Sequence, residues 1–130
     1  MKFHLKENGM RVDFEYGTLD ISGNEDYGFR PFQLMVASIA GCSASVFRKI
    51  LDKQRTEVEN LVITVDVERN PEEANRIERI DLHYTVTGYN LNTDKLNRNL
   101  ELSRKNCSMV RSVEDSIRIT ESLEAVELSR

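Results

Sequence analysis

Apolar and polar residues alternate from Met1 to Ile21, with Phe3 and Leu5, then Val12, Phe14 and Tyr16, then Leu19 and Ile21 in the apolar places. Asn8-Gly9 separates the first two runs, and Asn-Gly flanked by alternating apolar residues is a strong hairpin signal. Two or three short antiparallel strands are predicted there. Residues 22–30 are polar with two glycines and read as a loop; Pro31 then presets φ for a first helical turn, and a long helix is predicted to about Arg55. Over Asn60 to Arg69, Leu61, Ile63, Val65 and Val67 share one face while Val62, Thr64, Asp66 and Glu68 share the other, the pattern of a strand with one wet face. A turn over 70–75 leads to Ile80, Leu82, Tyr84 and Val86, which alternate up to Gly88 and complete an antiparallel hairpin. Asn92 to Lys105 reads as a helix with Leu96, Leu100 and Leu102 facing in, a shorter helix follows from about Cys107 to Glu114, and a last strand runs through Ile117 and Ile119 to Leu128.

This order, β-β(-β)-α-β-β-α-α-β, assigns an α+β class with about six strands in a sheet against the long helix. The helix carries Ala37, Ser38, Ala40, Gly41, Cys42, Ser43, Ala44 and Ser45 through its first half. A helix that is thin and apolar on most sides needs cover on most sides. One sheet does not supply that, so a second subunit is expected.

The chain has 130 residues, 39% hydrophobic and 31% charged, with two prolines and six glycines, which suits a single domain over residues 1–130. The net charge of -4 comes from 18 basic and 22 acidic residues that are interleaved rather than blocked, so there is no electrostatic footprint for nucleic acid. Pro31 to Phe47 has no ionisable side chain except Cys42. It also holds Gln33, Ser38, Gly41, Ser43 and Ser45 and falls short of the ~20 apolar residues of a membrane span, so it is expected to be a buried segment with no membrane partner. Met1 to Glu7 is charged at every second or third place without an apolar stretch, which argues against a secretory signal and for a cytoplasmic protein. In a reducing compartment Cys42 and Cys107 are expected to pair transiently if they pair at all.

The metal-ligating residue types are the two cysteines and His4 and His83, with no CxxC, HxxxH or HExxH spacing; neither a metal nor a cofactor is expected. His83 reads as a solvated strand histidine. Serine-hydrolase and nucleotide motifs are lacking. Cys42, three turns into the small-residue helix, fits a buried apolar thiol. Cys107 follows Lys105-Asn106 at a predicted helix start, with Arg111 one turn on. It therefore reads either as a thiol acidified by the helix terminus or as filler beside a capping Asn106.

The segment Gly28-Phe29-Arg30-Pro31-Phe32-Gln33-Leu34-Met35-Val36-Ala37-Ser38-Ile39-Ala40-Gly41-Cys42 resembles the G-x-x-P-x-x-L-x-x-A-x-x-A-G-C signature that opens the central helix of OsmC/Ohr family proteins. Lys105-Asn106-Cys107-Ser108-Met109-Val110 is similar to that family's second-cysteine segment before the last strand, and the order of elements agrees along essentially the whole chain. The resemblance implies an α+β intertwined homodimer with an antiparallel sheet packed on a long central helix. It also implies thiol-dependent reduction of organic or small hydroperoxides, in which Cys42 attacks, Cys107 resolves, and a dithiol restores both. The hydroperoxide-resistance branch carries a glutamate after the signature proline, orienting an arginine from a glycine-rich loop; Phe32 stands in that place here. Arg11 and Arg30 are the nearby arginine candidates, and Asp20, Glu25 and Asp26 the carboxylates available to hold one. A non-catalytic dimer that binds a small apolar ligand in its cleft is the alternative, and a guanidinium beside Cys42 would favour the enzyme.

Overall fold

The computed structural model describes residues 1–130 and divides into two compact units, Met1–Ala37 and Ser38–Arg130. In the first, β1 (Phe3–Leu5), β2 (Met10–Asp13) and β3 (Thr18–Ile21) form an antiparallel meander. The Asn8-Gly9 turn works as the sequence predicts: Gly9 has φ +96 and its carbonyl accepts the Lys6 N–H at 3.0 Å. A Cβ at Gly9 would overlap the Ile21 carbonyl. The second strand is shorter than its alternation suggests. Phe14 donates its N–H to the Gly17 carbonyl at 3.0 Å, so Phe14 and Tyr16 belong to the turn, and both are exposed.

Helix α1 (Pro31–Lys53) begins in the first unit and continues into the second. There it buries Ile39, Ser43, Phe47 and Leu51, a stripe at four-residue spacing that lies along one face of a helix. Ala37, Gly41 and Ser45, two residues out of step and roughly opposite, are exposed. A Cβ built on Gly41 meets nothing within 4 Å. By length and composition alone α1 is also apolar enough to cross a membrane, contrary to the count of apolar residues above.

The second unit is built on β4 (Glu57–Asn70), β5 (Arg76–Tyr89) and β6 (Arg118–Glu127), with β5 in the middle. Strands β4 and β5 pair antiparallel through a short 3-10 turn, Pro71–Glu73, which Asn70 caps. Between β5 and β6 the chain runs through α2 (Thr93–Asn106) and α3 (Ser108–Val113). A crossover of that length can return the chain in either direction, and β6 lies parallel to β5. The six strands therefore form two sheets of three, with one parallel pair, where a single antiparallel sheet is expected from the sequence.

Register sets Ile63, Tyr84 and Leu123 in one row of the inner face, and Val65, Leu82 and Glu121 in the next. Ile80, Leu82, Tyr84 and Val86 on the central strand are buried. Leu61, Ile63, Val65 and Val67 on the edge strand are only half-buried. The Phe47 ring of α1 meets Tyr84 edge-on, centroids 5.2 Å apart, a favoured aromatic geometry. Leu102 does not face in: it is exposed, while α2 buries Leu96, Asn99, Leu100 and Ser103. Leu102 lies two residues past Leu100, about 200° round the helix.

Candidate functional site

The two cysteines, on elements far apart in sequence, meet in the second unit. Cys42 is half-buried on α1. Cys107 is fully buried at the joint where α2 ends and α3 begins, with extended backbone, φ -86 and ψ 108. Each sulfur also touches the serine that follows the other cysteine. Ser43 Oγ donates to Cys107 Sγ at 3.5 Å, and Cys42 Sγ lies 3.7 Å from Ser108 Oγ.

Their acid–base characters diverge. Cys42 is lowered from the ordinary thiol value, chiefly by the Met109 backbone N–H, then by the Cys107 thiol, with burial opposing and Ser108 adding its hydroxyl and amide. Cys107 is raised, chiefly by burial, against hydrogen bonds from the Ser43 hydroxyl and the Val110 N–H. Helix-terminus reasoning from the sequence points to Cys107 as the easier thiolate, and the structure reverses that order. The free amides at the start of α3 are shared between both sulfurs, and the half-exposed one keeps the benefit because it loses less hydration.

Asn106 does not cap α3. Its side-chain amide donates to the Leu102 carbonyl at 2.9 Å, and α3 has no side-chain cap. Arg111 is exposed and ion-paired with Glu114 at 3.4 Å.

Two functional-looking groups escape the sequence reading. The Tyr84 hydroxyl and Glu121 Oε1 are buried without a hydrogen-bond partner. Burial pushes the Tyr84 phenol well above its ordinary value, with the Glu121 charge adding to it and Ser43 opposing. Burial also raises Glu121, with the Arg104 guanidinium opposing; that guanidinium donates to the Ile119 carbonyl at 2.6 Å. The available signal was the position of Glu121 between Ile119 and Leu123 in an apolar alternation.

In the first unit Arg11 is gripped by Asp20 through Nε at 2.6 Å and Nη2 at 3.1 Å. With Lys6 3.2 Å away, Asp20 is held at about 2. The Arg30 guanidinium lies 4.7 Å from the centroid of the Phe32 ring. His83 lies on the outer face of the sheet, partly exposed, with Nδ1 2.7 Å from Ser122 Oγ.

Comparison with known proteins identifies the family of this fold. The OsmC-like protein family matches residues 23–122. The chain belongs to that family. It is 33% identical over 97 residues to Protein YhfA of Escherichia coli K12, covering 74% of this chain and 72% of that protein. Its fold superposes on a protein of Aquifex aeolicus VF5 with a TM-score of 0.87, at 23% identity over 98% of this chain and 96% of that one. It also superposes on an organic hydroperoxide resistance protein OsmC of Legionella pneumophila with a TM-score of 0.73, at 20% identity over 95% and 93% of the two chains.

Proposed function

We propose that this OsmC-like chain serves peroxide defence as a thiol-dependent reductase of organic or small hydroperoxides. The observation that carries the reading is the meeting of Cys42 and Cys107 with unequal acidity. The Cys42 thiolate attacks the peroxide O–O bond; that bond breaks, the distal oxygen stays on sulfur as a sulfenic acid, and the alcohol leaves with a proton. Cys107 then attacks the Cys42 sulfur, an S–S bond forms, the S–O bond breaks, and the hydroxyl leaves as water with the Cys107 proton. A dithiol returns both sulfurs to thiols by exchange. The Legionella protein's description as an organic hydroperoxide resistance protein supports the same chemistry.

The working unit in this reading is a homodimer of one OsmC-like domain per chain, residues 1–130. The exposed stripe of Ala37, Gly41 and Ser45 supports it.

The test is hydroperoxide consumption with a dithiol present. Cys42→Ser should eliminate turnover, and Cys107→Ser should leave one reduction equivalent and a trappable sulfenic acid. Full consumption by Cys42→Ser would overturn the reading and leave a dimer that binds an apolar ligand.

A further inference from the structure

Cys107 is placed to resolve a sulfenic acid but protonated by its surroundings, so something must stabilise its thiolate as the disulfide closes. Its sulfur is completely shielded from water, and an uncompensated buried thiolate is strongly disfavoured. The side-chain donor aimed at it is Ser43, itself buried at 1% exposure, through the 3.5 Å hydrogen bond. Ser43 follows Cys42 on α1, so the turn that carries the attacking sulfur also carries the group that holds the second one. Behind it stands Tyr84, whose buried hydroxyl has no partner of its own. A hydroxyl has one proton to give, and Ser43 gives its own to the Cys107 sulfur.

We infer that Ser43 is the positioning residue of the resolving step: its hydroxyl holds the Cys107 sulfur against Cys42 and stabilises the thiolate that closes the disulfide. The inference rests on the two-cysteine reading above. The titratable groups around Cys107 are Cys42 on α1, Tyr84 on β5 and, beyond Tyr84, Glu121 on β6 with Arg104 of α2. Cys42, when ionised, opposes a Cys107 thiolate, and the groups that favour it are neutral hydrogen-bond donors: the Ser43 hydroxyl and the Val110 amide.

The test separates the two half-reactions in full-length reduced protein. After one equivalent of cumene hydroperoxide, loss of peroxide reads Cys42, and decay of a dimedone-trappable sulfenic acid reads Cys107. Ser43→Ala should leave the first rate within about twofold, slow the second about tenfold or more, as expected for a lost hydrogen bond to a charged group, and move its pH midpoint upward. Ser43→Thr, which keeps the hydroxyl, should restore both. Unchanged closure in Ser43→Ala, with an unmoved pH profile, would overturn the inference.

A second measurement does not depend on peroxide. Labelling Cys42 as an aromatic mixed disulfide lets Cys107 displace the aryl thiolate, and the same slowing and alkaline shift are expected in Ser43→Ala. That result without any sulfenic acid in native protein would sink the peroxidase reading and leave the role of Ser43 standing. Should Ser43→Ala not fold, Ser43→Thr against Ser43→Val makes the same comparison.

Discussion

The Cys107 thiol lies beside the Cys42 sulfur, and the contact favours charge on Cys42 while opposing it on Cys107. Burial separates them further, since one sulfur is half-exposed and the other sealed. Alkylation rate follows thiolate fraction and access. Iodoacetamide near neutral pH should therefore label Cys42 first, with Cys107 labelled only on unfolding or at distinctly higher pH. Peptide mass spectrometry across a pH series checks this; Cys107 reacting first would show that the α3 amides serve the wrong sulfur.

Gly41 faces open space in the single chain, so a larger side chain there costs the protomer little beyond any change in helix propensity. The proposed dimer predicts a different outcome. Gly41→Leu should keep native helical circular dichroism but lose the dimer by light scattering at micromolar concentration, because overpacking a close-packed interface costs about 1–3 kcal/mol or more. A dimer that survives the substitution unchanged would remove α1's small-residue face from the interface.

Strong local periodicity made most elements legible: Pro31 at the start of α1, Asn92 capping α2 with its side chain on Lys95 N–H at 3.0 Å, and the Leu61 to Val67 alternation of β4. Phe14 and Tyr16 misled because a turn bond between Phe14 and Gly17 outweighs β propensity. The parallel placement of β6 was not legible, since strand direction depends on the crossover path and not on local pattern. For the site, the cysteine-bearing segments pointed by resemblance to two residues that the fold brings together. The acidity order did not follow, because it depends on which sulfur is sealed from water, a property of tertiary packing. Ser43 was hidden among small residues whose common reading is close helix packing.

Glu121 is an acidic residue on the apolar face of its sheet, raised from an ordinary 4.5 by burial, with one carboxylate oxygen unpartnered. A carboxyl raised in the folded state keeps its proton there after the unfolded chain has lost it. Over that window the folded state binds more protons, so stability falls as pH rises from about 4.5 to the folded value and then levels. Glu121→Gln should flatten that part of the profile and gain stability over the native protein at neutral pH. Melting temperature against pH, from 4 to 8, is the measurement, and a native profile that rises through the window would contradict the buried charge.

Gln54 and Asn99 form a closed amide pair that ties the end of α1 to α2: Gln54 Nε2 donates to Asn99 Oδ1 at 3.0 Å, and Asn99 Nδ2 returns to Gln54 Oε1 at 2.8 Å. The two ends are not equivalent, since Asn99 is 5% exposed while Gln54 lies at the surface. Removing the outer partner leaves a buried amide with an unmet donor and acceptor, whereas removing the inner one leaves an amide that water can satisfy. An unsatisfied buried polar group costs about 1–3 kcal/mol, while replacing a buried polar group by an apolar one of similar size can be nearly neutral. Gln54→Ala should therefore destabilise the protein by about 1–3 kcal/mol in urea, and Asn99→Leu by less. The double variant should cost little more than Asn99→Leu alone, because once Asn99 is gone Gln54 has no buried partner to abandon. If Gln54→Ala is neutral while Asn99→Leu is the costly change, the packing of position 99, and not the amide pair, is what joins α1 to α2.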